Sequence, residues 1–265
     1  MSNSKDTNKK RKAEREALRE ELLETQFELR TLERGSVLVL ISGNDFAGKA
    51  EVIHSFYEWL DNRYLNTRAF GLPKGVDKRM PRMWRYWRML PPKGEMGIYV
   101  GAWYSTPLTS RVLGNASVAE FEQELDRIKR FESMLASEGA LILKFWLHLD
   151  KDEQKKRLRK LARNARTSWR VEKSRWGGSK RYREVKVAAE HMMRVTGTDS
   201  APWLTVNAAN RYYRGLTIAT TVRNAINARL ARVASATASA SICSKASLPA
   251  RRARSGSSRT PVRSS

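Results

Sequence analysis

Hydrophobic positions along the chain follow two spacings, one typical of buried strands and one typical of amphipathic helices. Short apolar or β-prone runs predict strands at residues 37–41, 67–70, 96–104, 140–149 and 203–206. Helical periodicity or composition predicts helices at residues 13–32, 49–61, 118–135, 151–163, 187–195 and 212–230. Because strands and helices alternate, the pattern favours an α/β fold with a mostly parallel central sheet.

The same pattern divides the chain into three parts. Residues 1–34 begin with a polar, basic stretch at 1–12 that we expect to be disordered, and continue as an amphipathic helix. Residues 35–230 form one domain, in which a basic helical insertion at about 166–200 is either a lid over a phosphate site or a peripheral helical hairpin. Residues 231–265 are rich in Ala, Ser and Arg with almost no large apolar side chains, so we expect a disordered tail.

The first predicted strand leads directly into a glycine-bounded loop. Gly43 and Gly48 frame four residues, and Lys49 follows at the start of a predicted helix. This order of strand, loop and helix is typical of a phosphate cradle, in which backbone N–H groups converge on an anion and the lysine adds a positive charge. The usual Ser or Thr after the lysine is Ala50, so Asp45 is the nearest side chain able to hold a metal. The alternative is a tight turn that needs its glycines for geometry alone.

Arginine and aromatic residues interleave over residues 78–94. On a helix, Arg82, Arg85 and Arg88 would share one face, and two tryptophans would share another. A row of cations beside a hydrophobic anchor suits a track for phosphates, with Lys93 continuing it. The alternative is a solvated basic face above two core tryptophans.

Charge narrows the classes of partner. Residues 35–230 hold 35 basic and 19 acidic side chains, a net charge of +16 within the chain total of +24. A domain this basic indicates a polyanionic partner, whether nucleic acid, an anionic membrane surface or a polyphosphate-like substrate. The lone cysteine, Cys243, excludes a disulfide framework within one chain. We see neither a membrane span nor a secretion signal and expect the cytoplasm.

Six motifs in a fixed order resemble one known family. They read GNDFAGK, RMPRMWRYWRMLPPKG, GIYVGAWY, GALILKFWLHLDKDEQKKRL, TSWRV and SAPW. The combination resembles the second family of polyphosphate kinases, and within it the N-terminal half of the two-domain polyphosphate:AMP phosphotransferases. The likeness runs from about Leu29 to Ala228.

The resemblance implies a P-loop kinase-like three-layer fold with a helical lid. It also implies transfer of the terminal phosphate of inorganic polyphosphate to AMP or ADP with Mg²⁺, in which Asp45 holds the metal and Lys49 contacts phosphate, the two being the catalytic pair. We expect assembly as a homo-oligomer or with a catalytic kinase half. The predicted phosphate-binding residues are Gly43, Asn44, Ala47, Gly48, Lys49, Arg82, Arg85, Arg88 and Lys93.

The third predicted strand departs from the family pattern. Competent members carry Asp-Arg-Ser before its Trp-Tyr, whereas this chain has Val100, Gly101 and Ala102. Three hypotheses follow: a polyphosphate-dependent AMP phosphotransferase, a catalytically degenerate half that binds polyphosphate or nucleotide or assembles with a catalyst, and a nucleic-acid-binding protein. The third ranks last, because no helix-turn-helix, zinc-finger or RNA-recognition signature is present.

Overall fold

The computed structural model describes residues 2–33, 35–172 and 178–246. Its sheet has five parallel strands, β1 (Val37–Gly43), β2 (Leu65–Ala69), β3 (Met96–Val100), β4 (Leu141–His148) and β5 (Trp203–Asn207). The strand order across the sheet is β2-β3-β1-β4-β5. The predicted α/β fold with a parallel central sheet is therefore confirmed.

Helices surround the sheet. They are α1 (Ser2–Leu32), α2 (Lys49–Trp59), α3 (Trp84–Trp87), α4 (Ser105–Val112), α5 (Val118–Ser137), α6 (Lys151–Arg163), α7 (Trp169–Glu172), α8 (Tyr182–Thr196) and α9 (Arg211–Ala246). In the described part of the chain, no helix has both the length and the apolar composition of a membrane span.

The sheet register brings the functional loops to one edge. β1 lies between β3 and β4, with Ile41 opposite Val100 and Gly43 opposite Leu147. Because all the strands are parallel, their carboxyl ends meet where ligands bind in sheets of this type. The glycine-bounded loop follows β1 at that edge.

Two terminal helices are longer than predicted. α1 begins at Ser2, although residues 1–12 were expected to be disordered, and α9 continues to Ala246 rather than ending at Leu230. Both extensions lack glycine and proline, and the first is rich in Lys and Arg while the second is rich in Ala, which are strong helix formers. The compact units divide after Asn227, and residues 247–265 of the predicted tail lie outside the described residues.

The third strand is shorter than predicted, and a helix follows it that the sequence pattern missed. β3 ends at Val100 because Gly101 and Ala102 have φ values of 76° and 23°, which leave the extended conformation. The chain then turns through Trp103 and Tyr104 into α4. The aromatic residues predicted to extend a strand therefore cover the core from a turn, with the Trp103 ring 5.1 Å from that of Phe131.

A fully buried ion pair lies beneath this turn. Lys144 Nζ donates to Glu132 Oε2 at 2.7 Å, to the Tyr104 hydroxyl at 3.1 Å and to the Thr196 carbonyl at 2.8 Å. The other carboxylate oxygen of Glu132 accepts from Trp103 Nε1 and from the Tyr104 hydroxyl. Burial lowers the pKa of Lys144, whereas the adjacent carboxylate raises it. The pair thus joins β4, α5 and the end of α8 to the turn after β3.

Removing one partner of this pair should destabilise the fold strongly. We expect Lys144→Met to lower the free energy of unfolding by about 3–5 kcal/mol, because it leaves the Glu132 carboxylate buried without its cation. Adding Glu132→Gln should recover about 1–3 kcal/mol relative to the sum of the two single losses. Urea unfolding of the four proteins of this cycle checks the prediction, and strictly additive losses would contradict it.

Candidate phosphate-binding site

The phosphate loop, residues 43–49, begins where β1 meets β4 at close range. Gly43 has φ 138°, and a Cβ at this position would lie 2.4 Å from the carbonyl oxygen of Leu147. Only glycine fits both the backbone angle and the space. The side chain of the next residue, Asn44, is almost fully buried and accepts a hydrogen bond from the Leu149 amide at 3.1 Å. It therefore fixes the loop to the chain that leaves β4.

The side chain of Lys49, at the end of the loop, bonds back to the two residues at its start. Its Nζ donates to the carbonyls of Gly43 at 2.8 Å and Asn44 at 2.7 Å. A cation in this position satisfies two peptide oxygens and lies at the mouth of the loop. Lys49 also lines the cavity beside the loop, and its contact with phosphate stays a prediction.

Two side chains of α6 hold the middle of the loop from behind. Gln154 Nε2 donates to the carbonyl of Asp45 at 3.2 Å, and Arg157 Nη1 donates to that of Phe46 at 3.1 Å. Neither residue was predicted from the sequence, because there α6 shows only as a basic helix. The available signal was Gln154 followed three positions later by Arg157, on the helix just after the fourth strand.

A buried arginine lies against the end of the loop. Gly48 has φ 85°, and a Cβ there would lie 2.6 Å from the Arg214 guanidinium carbon. Arg214 is nearly inaccessible, forms an ion pair with Glu51 and donates to the Ala208 carbonyl at 3.0 Å. Burial lowers the pKa of Arg214, and the Glu51 carboxylate opposes that shift. This contact requires glycine at position 48.

A cavity of about 240 Å³ opens between the phosphate loop and the turn after β3. It is lined by Ser42, Gly43, Asp45, Lys49, Val100, Gly101, Tyr104, Ser105, Leu108 and Trp146. Asp45 and Lys49, the predicted catalytic pair, are thus brought together. Val100 and Gly101, which stand where competent relatives were expected to carry Asp and Arg, line the same space.

The wall of this cavity is tied to the buried ion pair. Tyr104, which lines the cavity, bonds through its hydroxyl to Lys144 and Glu132. Burial and the negative Glu132 raise the Tyr104 pKa well above its usual value. Tyr104 therefore remains a neutral hydroxyl.

The predicted arginine track is only partly helical. α3 covers Trp84–Trp87, so Arg85 lies on the helix while Arg82 and Arg88 lie in the turns on either side of it. The shared face that one helix through all three arginines would give is therefore not formed.

The members of the proposed track have contacts of their own. Arg82 pairs with Glu124 at 2.9 Å, and the largely buried Arg85 lies 3.4 Å from Asp77. The Arg88 guanidinium lies 4.6 Å from the centre of the Trp84 ring.

Lys93 is exposed in the loop before β3. Neither Lys93 nor any of the three arginines is among the described residues that line the cavity. Their role in binding phosphate stays a prediction.

Comparison with known proteins decides the family. The model for polyphosphate kinase 2 (PPK2) matches residues 3–233. The chain belongs to the PPK2 family. It is 41% identical over 214 residues to a polyphosphate:AMP phosphotransferase of Pseudomonas aeruginosa PAO1, a match that covers 81% of this chain and 43% of that protein. It is 30% identical to an AMP/ADP-polyphosphate phosphotransferase of Meiothermus ruber, a match that covers 67% of each.

Solved PPK2 structures share the fold. A polyphosphate kinase 2 of Arthrobacter aurescens TC1 superposes with a TM-score of 0.77 at 26% identity, over 81% of this chain and 77% of that one. A candidate polyphosphate kinase 2 of Pseudomonas aeruginosa PA01 gives 0.75 at 38% identity, over 84% of this chain and 45% of that one. The chain spans less than half the length of the polyphosphate:AMP phosphotransferases that it matches.

Gly48 offers a direct test of the PPK2 loop geometry. We expect Gly48→Ala to lower the free energy of unfolding by about 1–3 kcal/mol, because alanine is strained at this φ and its Cβ displaces the ion-paired Arg214. The matched control is Gly215→Ala in α9, where a Cβ meets nothing within 4 Å.

The control should raise stability by about 0.5–1 kcal/mol, since alanine favours the helix. Urea unfolding measures both effects. Equal effects of the two substitutions would contradict the close contact between Gly48 and Arg214.

Proposed function

We propose that this chain transfers a phosphoryl group from inorganic polyphosphate to AMP, giving ADP. The observation that carries the proposal is the cavity at the carboxyl edge of the sheet, which Asp45 and Lys49 of the phosphate loop line in this PPK2 family member. Relatives that match over four fifths of the chain are named polyphosphate:AMP phosphotransferases. Those names supply the donor and the acceptor of the proposal.

Phosphoryl transfer depends mainly on positioning and on stabilisation of charge. The phosphate loop ends at the N-terminus of α2, where the peptide N–H groups of a helix and its dipole favour an anion. Lys49 adds a cation that neutralises charge on the transferred group. These groups need no covalent intermediate on the protein.

Mg²⁺ belongs to the same proposal, and Asp45 is the residue that would hold it. Mg²⁺ in proteins is commonly bound by one or two carboxylates together with substrate phosphates and water. Asp45 supplies a carboxylate in the cavity that would receive the phosphates. The described residues contain no group of three His, Cys, Asp or Glu side chains able to hold a metal between them. When bound, the ion would neutralise charge on the phosphate oxygens.

The exposed face of α6 supports a polyanionic donor. Its basic side chains there are Lys155, Lys156, Arg159, Lys160 and Arg163. The two acidic side chains of α6, Asp152 and Glu153, are confined to its first turn. The basic face beyond that turn therefore carries a strongly positive electrostatic potential. Long-chain polyphosphate, a polyanion, matches this positive face and also matches the net positive charge of the chain.

Assembly into a homo-oligomer or with a catalytic kinase half, and a cytoplasmic location, complete the proposal.

The purified chain should form ADP from AMP, long-chain polyphosphate and Mg²⁺. We expect Lys49→Ala to lower the rate about a thousandfold, because it removes a charge-stabilising group, and Asp45→Asn to raise the Mg²⁺ requirement. Lys10→Ala, which removes an exposed charge from α1, is the matched control and should leave the rate unchanged.

Measuring both ADP formation and polyphosphate binding by the same protein distinguishes a transferase from a domain that only binds. ADP formation that Lys49→Ala abolishes supports the transferase. Polyphosphate binding without ADP formation would contradict it and would instead support a degenerate half that binds polyphosphate for a catalytic partner.

A further inference from the structure

We infer that Gln154 and Arg157 are positioning residues for the phosphate loop. They act on two peptide carbonyls of the loop rather than on the substrate. The inference rests on the proposed function for its kinetic consequence, whereas its effect on anion binding is independent of turnover.

The geometry of a peptide group explains how a contact behind the loop affects the front. A trans peptide directs its C=O and N–H to opposite sides. Because Gln154 holds the Asp45 carbonyl on the α6 side, the N–H of Phe46 points away from α6. Phe46 itself has φ 63°, a left-handed conformation that external contacts must maintain in a residue with a side chain. Its own carbonyl is held by Arg157.

Arg157 connects the loop to a second segment. Its Nη2 donates to the carbonyls of Ala208 at 2.7 Å and Ala209 at 2.6 Å, just after β5. The planar guanidinium thus spans the phosphate loop and the β5–α9 connection with fixed geometry, which a lysine cannot reproduce. Ala208 also accepts from Arg214, which lies against Gly48, so one carbonyl joins both contacts behind the loop.

The surroundings of Gln154 indicate that its side chain serves the phosphate loop. Its side chain is almost completely buried, and its amide nitrogen donates to Asp45. Its Oε1 has no hydrogen-bond partner among the described atoms. A buried amide with one unsatisfied atom is costly, so a leucine or methionine would suit the fold equally well or better. The position is therefore better explained by the bond to the loop than by stability.

Neither side chain is among the described residues that line the phosphate cavity. Any influence on phosphate must therefore pass through the loop backbone. This separates them from Lys49 and Asp45, which face the cavity directly.

Two substitutions test the inference, and a third is the matched control. Arg157→Lys keeps the charge but loses the planar guanidinium that reaches two segments, and Gln154→Met keeps the size but loses the donor. The control, Arg19→Lys, makes the same chemical change as the first at an exposed position of α1. The probe is tripolyphosphate, whose dissociation constant is measured by calorimetry, with thermal unfolding as the check on folding.

We expect Arg157→Lys and Gln154→Met each to raise the dissociation constant about tenfold, while Arg19→Lys stays within about twofold of the wild type. In the ADP assay the KM for polyphosphate should rise in the same proportion, with the KM for AMP unchanged. Unchanged tripolyphosphate binding in both variants would overturn the inference.

A merely structural role gives a different result. It would lower kcat and thermal stability together and leave the dissociation constant of the folded protein unchanged, which would also overturn the inference. If the wild type forms no ADP, the calorimetric comparison decides the inference by itself, because it requires no turnover.

Discussion

The conformation of the phosphate loop depends on where its carbonyl oxygens point. A carbonyl that faced the cavity would repel a phosphate, so the loop binds an anion only if these oxygens are bonded elsewhere. Lys49 takes those of Gly43 and Asn44, and α6 takes those of Asp45 and Phe46. With these carbonyls bonded to protein donors, the loop resembles others that open onto a helix N-terminus and bind an anion there.

Other parts of the structure hold the ends of the phosphate loop and the opposite wall of the cavity in place. The short approach of β1 to β4 at Gly43 fixes the start of the loop, and Arg214 fixes its end at Gly48. Tyr104 forms the opposite wall and is held by the buried pair of Lys144 and Glu132. Stability and binding therefore share residues, since the ion pair that secures the core also positions a wall of the cavity.

Sequence periodicity and glycine spacing were enough to predict the parallel sheet and the phosphate loop, because both are local in the chain. Gln154, Arg157 and Arg214 were missed because they meet the loop from more than 100 residues away. The shared face considered for Arg82, Arg85 and Arg88 requires one helix through all three, whereas α3 contains only Arg85. Nor could periodicity show that Asp77 and Glu124 reach two of these arginines.

Amide hydrogen exchange of the wild-type protein, with and without tripolyphosphate, tests the central claim most directly. The account predicts that added tripolyphosphate slows exchange at the loop amides of residues 45–49, with smaller changes elsewhere in the sheet. Slowing confined to residues 82–93, with the loop amides unchanged, would contradict it. That result would place the anion on the basic stretch before β3.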